Sequence, residues 1–153
     1  MNRTVHSAPA RKAAKTKAAP RTNDPERTMA DILEVATREF AEKGLAGARI
    51  DAIAEAMRTS KRMIYYYFGS KEGLYLAVLE ELYRRFNEAE SRLALDLAQP
   101  DEALTEVIRF VWNYYRRNPE FITLLNTENL HRGRHIAKSP RAGEYSSPAV
   151  RVL

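Results

Sequence analysis

The chain has 153 residues, 44% of them hydrophobic, and a formal net charge of +5, a size that suits one domain or two small domains sharing a helix. No apolar run approaches the roughly 18 residues that a membrane span requires, so no membrane-spanning helix is expected. The absence of cysteine excludes a disulfide framework, thiol catalysis and a cysteine-ligated zinc site, and it fits a reducing, cytoplasmic compartment.

The first 24 residues carry the whole charge imbalance of the chain. They contain six Lys and Arg residues and one Asp, whereas residues 25–153 contain equal numbers of acids and bases. Few of these residues are bulky and apolar, so the segment cannot bury enough surface to offset the entropy lost on ordering. We expect residues 1–24 to form a disordered basic tail, which either solubilises the protein or adds phosphate contacts. A targeting peptide is disfavoured because the tail lacks an amphipathic apolar stripe.

The first predicted helix begins at Asp24, Pro25 and Glu26. Asp is a favourable N-cap, Pro is favoured at the first helical position, and Glu suits the first turn. One helical face then carries the apolar residues Met29, Ile32, Leu33, Ala36 and Phe40. Gly44 is expected to end this helix, and residues 45–48 to link it to the next.

Two short helices are predicted to follow. The second carries its apolar residues at the same helical spacing: Ile50, Ile53, Ala54 and Met57. The third lies within residues 58–68, RTSKRMIYYYF, with Thr59 or Ser60 as its N-cap. Gly69 interrupts the pattern, and Ser70 is the predicted N-cap of a fourth helix.

The third helix presents an unusual outward face. At about 100° per residue, Ile64 and Phe68 point to the core, whereas Tyr66 points away from it with Arg62 and Met63. The cations lie at the N-terminal end, where each costs roughly 0.3–1 kcal/mol against the helix dipole. DNA removes this conflict, because phosphates accept hydrogen bonds from free N–H groups and neutralise cations. A short helix that follows another helix and a tight turn has helix-turn-helix geometry; the alternative is an ordinary solvated or packed surface.

The second half of the chain is also patterned as helix. A long fourth helix is predicted over about residues 71–97, and a fifth helix from Asp101. The apolar stripe of the fifth helix is Leu104, Val107, Ile108, Val111, Trp112 and Tyr115. Asn118 and Pro119 separate it from a sixth helix, whose apolar residues are Phe121, Ile122, Leu124, Leu125 and Leu130.

The sequence ends on an incomplete element. Residues 138–147 are predicted to form a loop, after which Ser147 and Pro148 have the pattern of a helix start. The chain stops at Leu153, about one turn later, and such a helix is marginal by itself. The sequence is therefore interpreted as a fragment or truncated product. No strand-like alternation competes with the helical pattern, so the predicted fold class is all-α.

The histidines give a weak metal signal. His131 and His135 are four residues apart and could share a metal ion. Arg132 and Arg134 would repel a cation there, so a polar helix end is favoured, and neither a metal nor another cofactor is predicted.

The later helices offer no catalytic pattern. Trp112 and Tyr115 are interpreted as core residues, with an effector pocket shared with Tyr114 as the alternative. A set of polar residues could instead orient a bound ligand: Glu128, Asn129, His131 and Arg132. We find no Gly-rich phosphate loop and no Ser-His-Asp or paired-carboxylate arrangement, so an enzyme is not predicted.

One long stretch resembles the TetR family of bacterial transcriptional regulators: ILEVATREFAEKGLAGARIDAIAEAMRTSKRMIYYYFGSKEGLYLAVLEE. The shared features are the helix–Gly–helix opening, a recognition helix that ends in Tyr-x-x-Phe, and a Ser-Lys-Glu start to the fourth helix. The resemblance covers about residues 26–86.

The resemblance implies a three-helix DNA-binding domain at 26–86, with its helix-turn-helix motif at 49–68. A long fourth helix would join it to a partial helical regulatory domain at 87–153. The implied function is a homodimeric regulator of an inverted-repeat, double-stranded DNA operator, most often a repressor that a small-molecule effector releases. The last two long helices, which form the family's dimer interface, are expected to lie beyond Leu153.

The resemblance also implies which residues face DNA. By position these are Arg49, Thr59, Ser60, Lys61, Arg62, Met63, Tyr65, Tyr66, Tyr67 and Lys71. Arg58 replaces the glycine common in the turn and is expected to be strained if its φ is positive. Arg49 replaces a Thr-rich N-cap, so the start of the second helix is expected to be poorly capped.

Two other classes of function remain possible on the residues alone. One is a helical protein-interaction module whose basic face binds an acidic partner. The other is a small-molecule carrier that uses only the later helices. DNA binding without sequence preference would favour the first, and ligand binding without DNA affinity the second.

Overall fold

The computed structural model describes residues 24–145 and contains no strand in that range, which confirms the all-α prediction. The helices are α1 (Pro25–Gly47), α2 (Ile50–Ala56), α3 (Lys61–Phe68), α4 (Lys71–Glu90), α5 (Pro100–Arg117) and α6 (Pro119–Leu130). Two short 3-10 helices follow, at Ile136–Lys138 and Ala142–Tyr145. The predicted basic tail, except for Asp24, and the predicted helix start at Ser147 and Pro148 lie outside the described residues.

The start of α1 is the predicted one. The Asp24 carboxylate accepts hydrogen bonds from the backbone N–H groups of Glu26 and Arg27, and Pro25 occupies the first turn. Gly44 interrupts the helix with φ 66° and ψ 175°, but a further helical turn runs on to Gly47. Gly44 therefore ends the regular first helix, as predicted, and the further turn lies within the predicted linker.

The core lies between α1 and α4, which pack along each other and carry the other helices. The buried apolar residues are Ile32, Ala36, Phe40, Ala48, Ile50, Ile53, Ala54, Ile64, Leu74, Tyr75, Val78, Leu79 and Leu124. Phe40 and Tyr75 meet edge to face, with ring centroids 5.0 Å apart. One continuous core thus fixes α2 and α3 against α1 and α4, and α6 also packs against α1.

The junction between α3 and α4 is fixed by a close backbone approach. Ser70 caps α4 by accepting a hydrogen bond from the N–H of Gly73 at 2.9 Å. A Cβ at Gly73 would lie 2.2 Å from the carbonyl oxygen of Phe68, so no larger residue fits without a shift. The end of α3 and the first turn of α4 are therefore in close backbone contact.

The fourth helix is shorter than predicted: it ends at Glu90 and not near residue 97. The Ser91 hydroxyl donates to the carbonyl oxygen of Glu88 and closes the last turn. The Asp96 carboxylate accepts from the N–H of Ala98 at 2.9 Å, forming a turn that competes with helix. The fifth helix begins at Pro100, one residue before its predicted start.

The fifth helix uses a different face for packing than its apolar stripe suggested. Phe110 packs against Phe86 of α4, and Tyr114 packs against both Phe86 and Phe121 of α6. Phe86 and Phe121 stack with ring centroids 5.1 Å apart. Trp112 is 65% exposed, so its interpretation as a core residue was wrong. A stripe of Leu104, Ile108 and Trp112 is left uncovered by the described residues.

Candidate nucleic-acid interface

The turn between α2 and α3 is compact and strained. Arg58 and Thr59 donate backbone hydrogen bonds to the carbonyl oxygens of Glu55 and Ala54, which closes the C-terminal end of α2. Arg58 has φ 54°, in the left-handed region that side chains with a Cβ disfavour by roughly 1–2 kcal/mol. The strain expected for an arginine at this glycine-like position is therefore present.

The start of α3 is capped but carries no acid. The Ser60 hydroxyl accepts a hydrogen bond from the N–H of Met63 at 3.3 Å, so Ser60 rather than Thr59 is the N-cap. No acidic residue lies in the first turn, where Lys61 and Arg62 stand instead. The positive end of the helix dipole and two cations therefore share one surface.

The aromatic residues of α3 divide between core and surface as the helical period predicts. Ile64 is buried and Phe68 packs against the core, whereas Tyr66 is 79% exposed. Tyr67 lies partly against the core and meets Tyr66 edge to face at 5.2 Å. Tyr65 is also exposed. The outer face of α3 thus presents phenolic rings and hydroxyls next to its cations.

Asp51 at the start of α2 neutralises part of this basic face. Its carboxylate binds the Lys61 ammonium at 2.6 Å and lies 3.8 Å from the Arg49 guanidinium. The hydrogen bond from Lys61 lowers the pKa of Asp51 and raises the pKa of Lys61. Lys71 donates to the carbonyl oxygen of Ala46 at 3.2 Å, which ties the start of α4 to the end of α1.

An open groove of about 390 Å³ runs along the outer side of α3. It is lined by Pro25, Ser60, Arg62, Met63, Tyr66 and Tyr67. Pro25, the first residue of α1, thus lies at the edge of this groove.

The structure brings most of the predicted DNA-facing residues onto one surface. Seven lie on α3 or at its start: Ser60, Lys61, Arg62, Met63, Tyr65, Tyr66 and Tyr67. Thr59 lies in the preceding turn, Arg49 at the N-cap of α2, and Lys71 at the first position of α4. Their roles toward DNA stay predictions.

Glu39 supports this surface and was missed from the sequence. Arg49 provides no side-chain cap for α2, as expected, but the Glu39 carboxylate accepts from the Arg49 N–H at 3.1 Å. Burial opposes ionisation of Glu39, yet hydrogen bonds from Lys43 and from that N–H keep its pKa below its usual value. The only sequence signal was the Glu39–Lys43 pair at helical spacing.

Glu128 on α6 forms the centre of a second polar site, which is buried. Its side chain is fully enclosed and binds His135 Nδ1 at 2.5 Å. The backbone N–H groups of His135 and Ile136 each donate to it at 3.3 Å, and the Tyr75 hydroxyl donates at 3.4 Å. We call Glu128, Tyr75, His135 and the Ile136 N–H the Glu128 cluster. Its carboxylate is occupied by the protein itself rather than left open for a ligand.

The other predicted polar residues of this region do not join the cluster. His131 is exposed, and its Nδ1 lies 2.8 Å from the Thr127 carbonyl oxygen. Leu130, one of the apolar residues of the predicted sixth helix, is 84% exposed. Within residues 24–145, no group of three His, Cys, Asp or Glu side chains is arranged to hold a metal ion. The same range holds no helix both long and apolar enough to cross a membrane.

Comparison with known families gives matches to both halves of the chain. Residues 32–78 match the family model described as bacterial regulatory proteins, tetR family. Residues 100–153 match the model of a tetracyclin repressor-like C-terminal domain.

Similar proteins are found among characterised and solved relatives. The HTH-type transcriptional repressor NicS of Pseudomonas putida is 49% identical over 133 residues, covering 87% of this chain and 63% of NicS. The HTH-type transcriptional repressor SCO4008 of Streptomyces coelicolor is 39% identical over 126 residues, covering 79% of this chain and 58% of SCO4008. The crystal structure of SCO4942 from the same organism has a TM-score of 0.60 at 34% identity, covering 72% of this chain and 57% of SCO4942. The chain spans less than two thirds of the length of each of these relatives.

Proposed function

Because the chain belongs to the TetR family of bacterial regulatory proteins, we propose that it is a sequence-specific DNA-binding regulator that inserts α3 into the major groove. NicS and SCO4008 are both named transcriptional repressors, and the proposal extends that role to this chain. Repression here means occupancy of an operator, with no chemical step on the DNA.

The exposed face of α3 is the observation that carries the proposal. Lys61 and Arg62 stand at the helix end where the dipole disfavours cations, and Tyr66 is exposed although it is aromatic. In water this position is unfavourable for the unpaired Arg62, whereas Asp51 offsets the cost at Lys61. A phosphate backbone makes the same arrangement favourable, because it neutralises the cations and accepts hydrogen bonds from the free N–H groups.

The neighbouring residues fit the same partner. Arg49 lies before α3 and Lys71 after it, and the proposal assigns them to phosphates on either side of the groove in DNA. The Tyr66 and Tyr67 hydroxyls can donate to phosphate oxygens, while their rings pack on sugars or thymine methyl groups. Asp51 would release Lys61 to a phosphate on binding.

The regulatory part of the proposal rests on the second half of the chain. The match of residues 100–153 to a tetracyclin repressor-like C-terminal domain supports a small-molecule effector and a homodimer in the whole protein. A two-fold symmetric dimer would require an inverted-repeat operator with half-sites about 34 Å, or a multiple of that, apart.

The experiment is selection from a random duplex DNA pool, followed by titration of the selected duplex across salt concentrations. An enriched motif with binding that weakens steeply with salt is the expected result. Lys61→Ala should reduce the magnitude of the slope of log K against log salt by about one, because one phosphate contact is lost. Arg116→Ala, an exposed cation at the end of α5, is the matched control and should leave the slope unchanged.

Two results would count against the proposal. Salt-sensitive binding without any enriched motif would favour an interaction module that binds acidic partners through its basic face. The same loss of slope in Arg116→Ala and Lys61→Ala would show that charge alone, and not the α3 surface, determines binding.

A further inference from the structure

The cations around α3 differ in what already occupies them. Lys61 is held by Asp51 at 2.6 Å, Arg49 lies 3.8 Å from the same carboxylate, and Lys71 donates to the Ala46 carbonyl. Within the described residues, the Arg62 guanidinium has neither a hydrogen-bond nor an ion-pair partner. Arg62 is thus the cation on α3 itself whose donors are all available.

The position of Arg62 points these donors outward. It is the second residue of α3 and lies four residues before Tyr66, so the two side chains share one exposed helical face. Both line the open groove along α3. In a helix-turn-helix protein, the residues at the N-terminal end of the recognition helix are those that reach base edges.

The chemistry of a free guanidinium selects one base. Guanine presents two acceptors, O6 and N7, in the major groove, and arginine donates to both with its planar fork. Adenine replaces one of these acceptors with an amino donor, which an arginine cannot satisfy. Phosphates would also accept from Arg62, but they carry no sequence information.

We propose that Arg62 reads one guanine in each half-site of the operator, donating to O6 and N7 of that base. This inference rests on the proposed function, because it requires α3 to lie in the major groove. Tyr66, one turn further along the same exposed face, would then meet the adjacent backbone or base.

The test compares motifs selected from a random duplex pool by three forms of the 153-residue chain. The wild-type protein should enrich a half-site that contains a guanine, whether the selected duplexes carry one half-site or an inverted repeat. Arg62→Ala should lose the preference at that one position and retain the rest of the motif. Arg49→Ala, which removes the same charge from the start of α2, should weaken binding yet select the same motif.

A direct titration keeps the test decisive when a variant binds weakly. At low salt, where nonspecific attraction is strong, the wild-type protein should prefer the selected duplex over one with that guanine replaced by adenine by roughly tenfold or more. Arg62→Ala should bind both duplexes equally. Arg62→Lys keeps the charge but not the planar fork, so it should recover less than half of the logarithmic preference.

The outcomes separate this inference from the proposed function. A selected motif without a guanine, or one unchanged by Arg62→Ala, would overturn the reading by Arg62 and leave DNA binding intact. Failure of the wild-type chain to enrich any motif would overturn both. Thermal unfolding of Arg62→Ala should match wild type, since the side chain is exposed and unpaired.

Discussion

The Glu128 cluster and the outer face of α3 are both rich in polar atoms, but they use them in opposite ways. Glu128 is fully enclosed, and its oxygens accept from His135, Ile136 and Tyr75. Tyr66 on α3 is 79% exposed, and Arg62 beside it has no partner within the described residues.

The difference indicates what each region contributes. No buried side-chain nitrogen or oxygen among residues 24–145 lacks a hydrogen-bond partner, so the Glu128 cluster is closed and contributes to stability. The α3 face keeps donors open toward solvent and is suited to binding. Changes in the first region should therefore alter unfolding, and changes in the second should alter affinity for DNA.

The largest effect is expected from Glu128→Ala. It removes the acceptor shared by His135 and the backbone N–H of Ile136, and it leaves buried donors without partners. The free energy of unfolding should fall by about 3 kcal/mol, as measured by urea denaturation. Glu42→Ala, an exposed residue on α1, should change it by less than about 0.5 kcal/mol. A loss below about 1 kcal/mol in Glu128→Ala would show that the cluster is not a main source of stability.

The next effect should come from Tyr66→Ala and appear in binding alone. Loss of a hydrogen bond to phosphate and of ring packing should reduce affinity for the selected duplex about tenfold, or about 1.4 kcal/mol. The melting temperature should change little, because the side chain is exposed. Tyr66→Phe removes the hydroxyl but keeps the ring, so it measures the part of the affinity loss that is due to the hydroxyl. Unchanged affinity in Tyr66→Ala would remove this residue from the interface.

Tyr75→Phe tests the edge of the Glu128 cluster and should lower the free energy of unfolding at pH 8 by about 1 kcal/mol. Burial and the nearby Glu128 carboxylate raise the pKa of Tyr75 above its usual 10.0. Below pH 10 both the folded and the unfolded chain keep the phenol proton, so Tyr75 makes its full contribution to the free energy of unfolding. Above pH 10 the unfolded chain loses it first, and stability falls. In Tyr75→Phe, the free energy of unfolding should fall less steeply above pH 10 than in the wild type. An equally steep fall would show that the Tyr75 phenol is not the group responsible.

Arg58→Gly should give the smallest effect, and it should raise the free energy of unfolding where Glu128→Ala and Tyr75→Phe lower it. Arg58 holds φ 54° in the turn before α3, and glycine adopts this conformation without a Cβ clash. The free energy of unfolding should rise by about 0.5–1 kcal/mol, after allowance for the greater freedom of glycine in the unfolded chain. Arg58→Ala removes the same charge but keeps the strain, so it should give no gain. Equal gains in the two variants would trace the effect to charge repulsion instead.

The elements that the sequence predicted correctly depend on local chemistry. Asp24, Ser60 and Ser70 cap helices through donors two or three residues away, so each cap could be identified from its neighbours. The outward position of Tyr66 follows from helical period alone, once Ile64 is assigned to the core. The outer face of α3 could be predicted for the same reason.

The elements that were missed depend on distant partners. Trp112 lies on an apolar stripe, but the aromatic rings of Phe86 and Phe121 select the neighbouring face of α5. Glu128 can be buried because the chain turns back after α6 and brings the backbone N–H groups of His135 and Ile136, seven and eight residues later, to its carboxylate. Neither arrangement has a periodic signal in the sequence.

The most direct test of the difference between the two regions is amide hydrogen exchange of the 153-residue chain, with and without the selected duplex. Exchange should slow in residues 58–71, which include α3 and the start of α4, and remain unchanged in residues 128–136 around the Glu128 cluster. A duplex with a scrambled motif should give weaker protection. Unchanged exchange at 58–71 with protection at α5 would contradict the assignment of α3 as the DNA-binding surface.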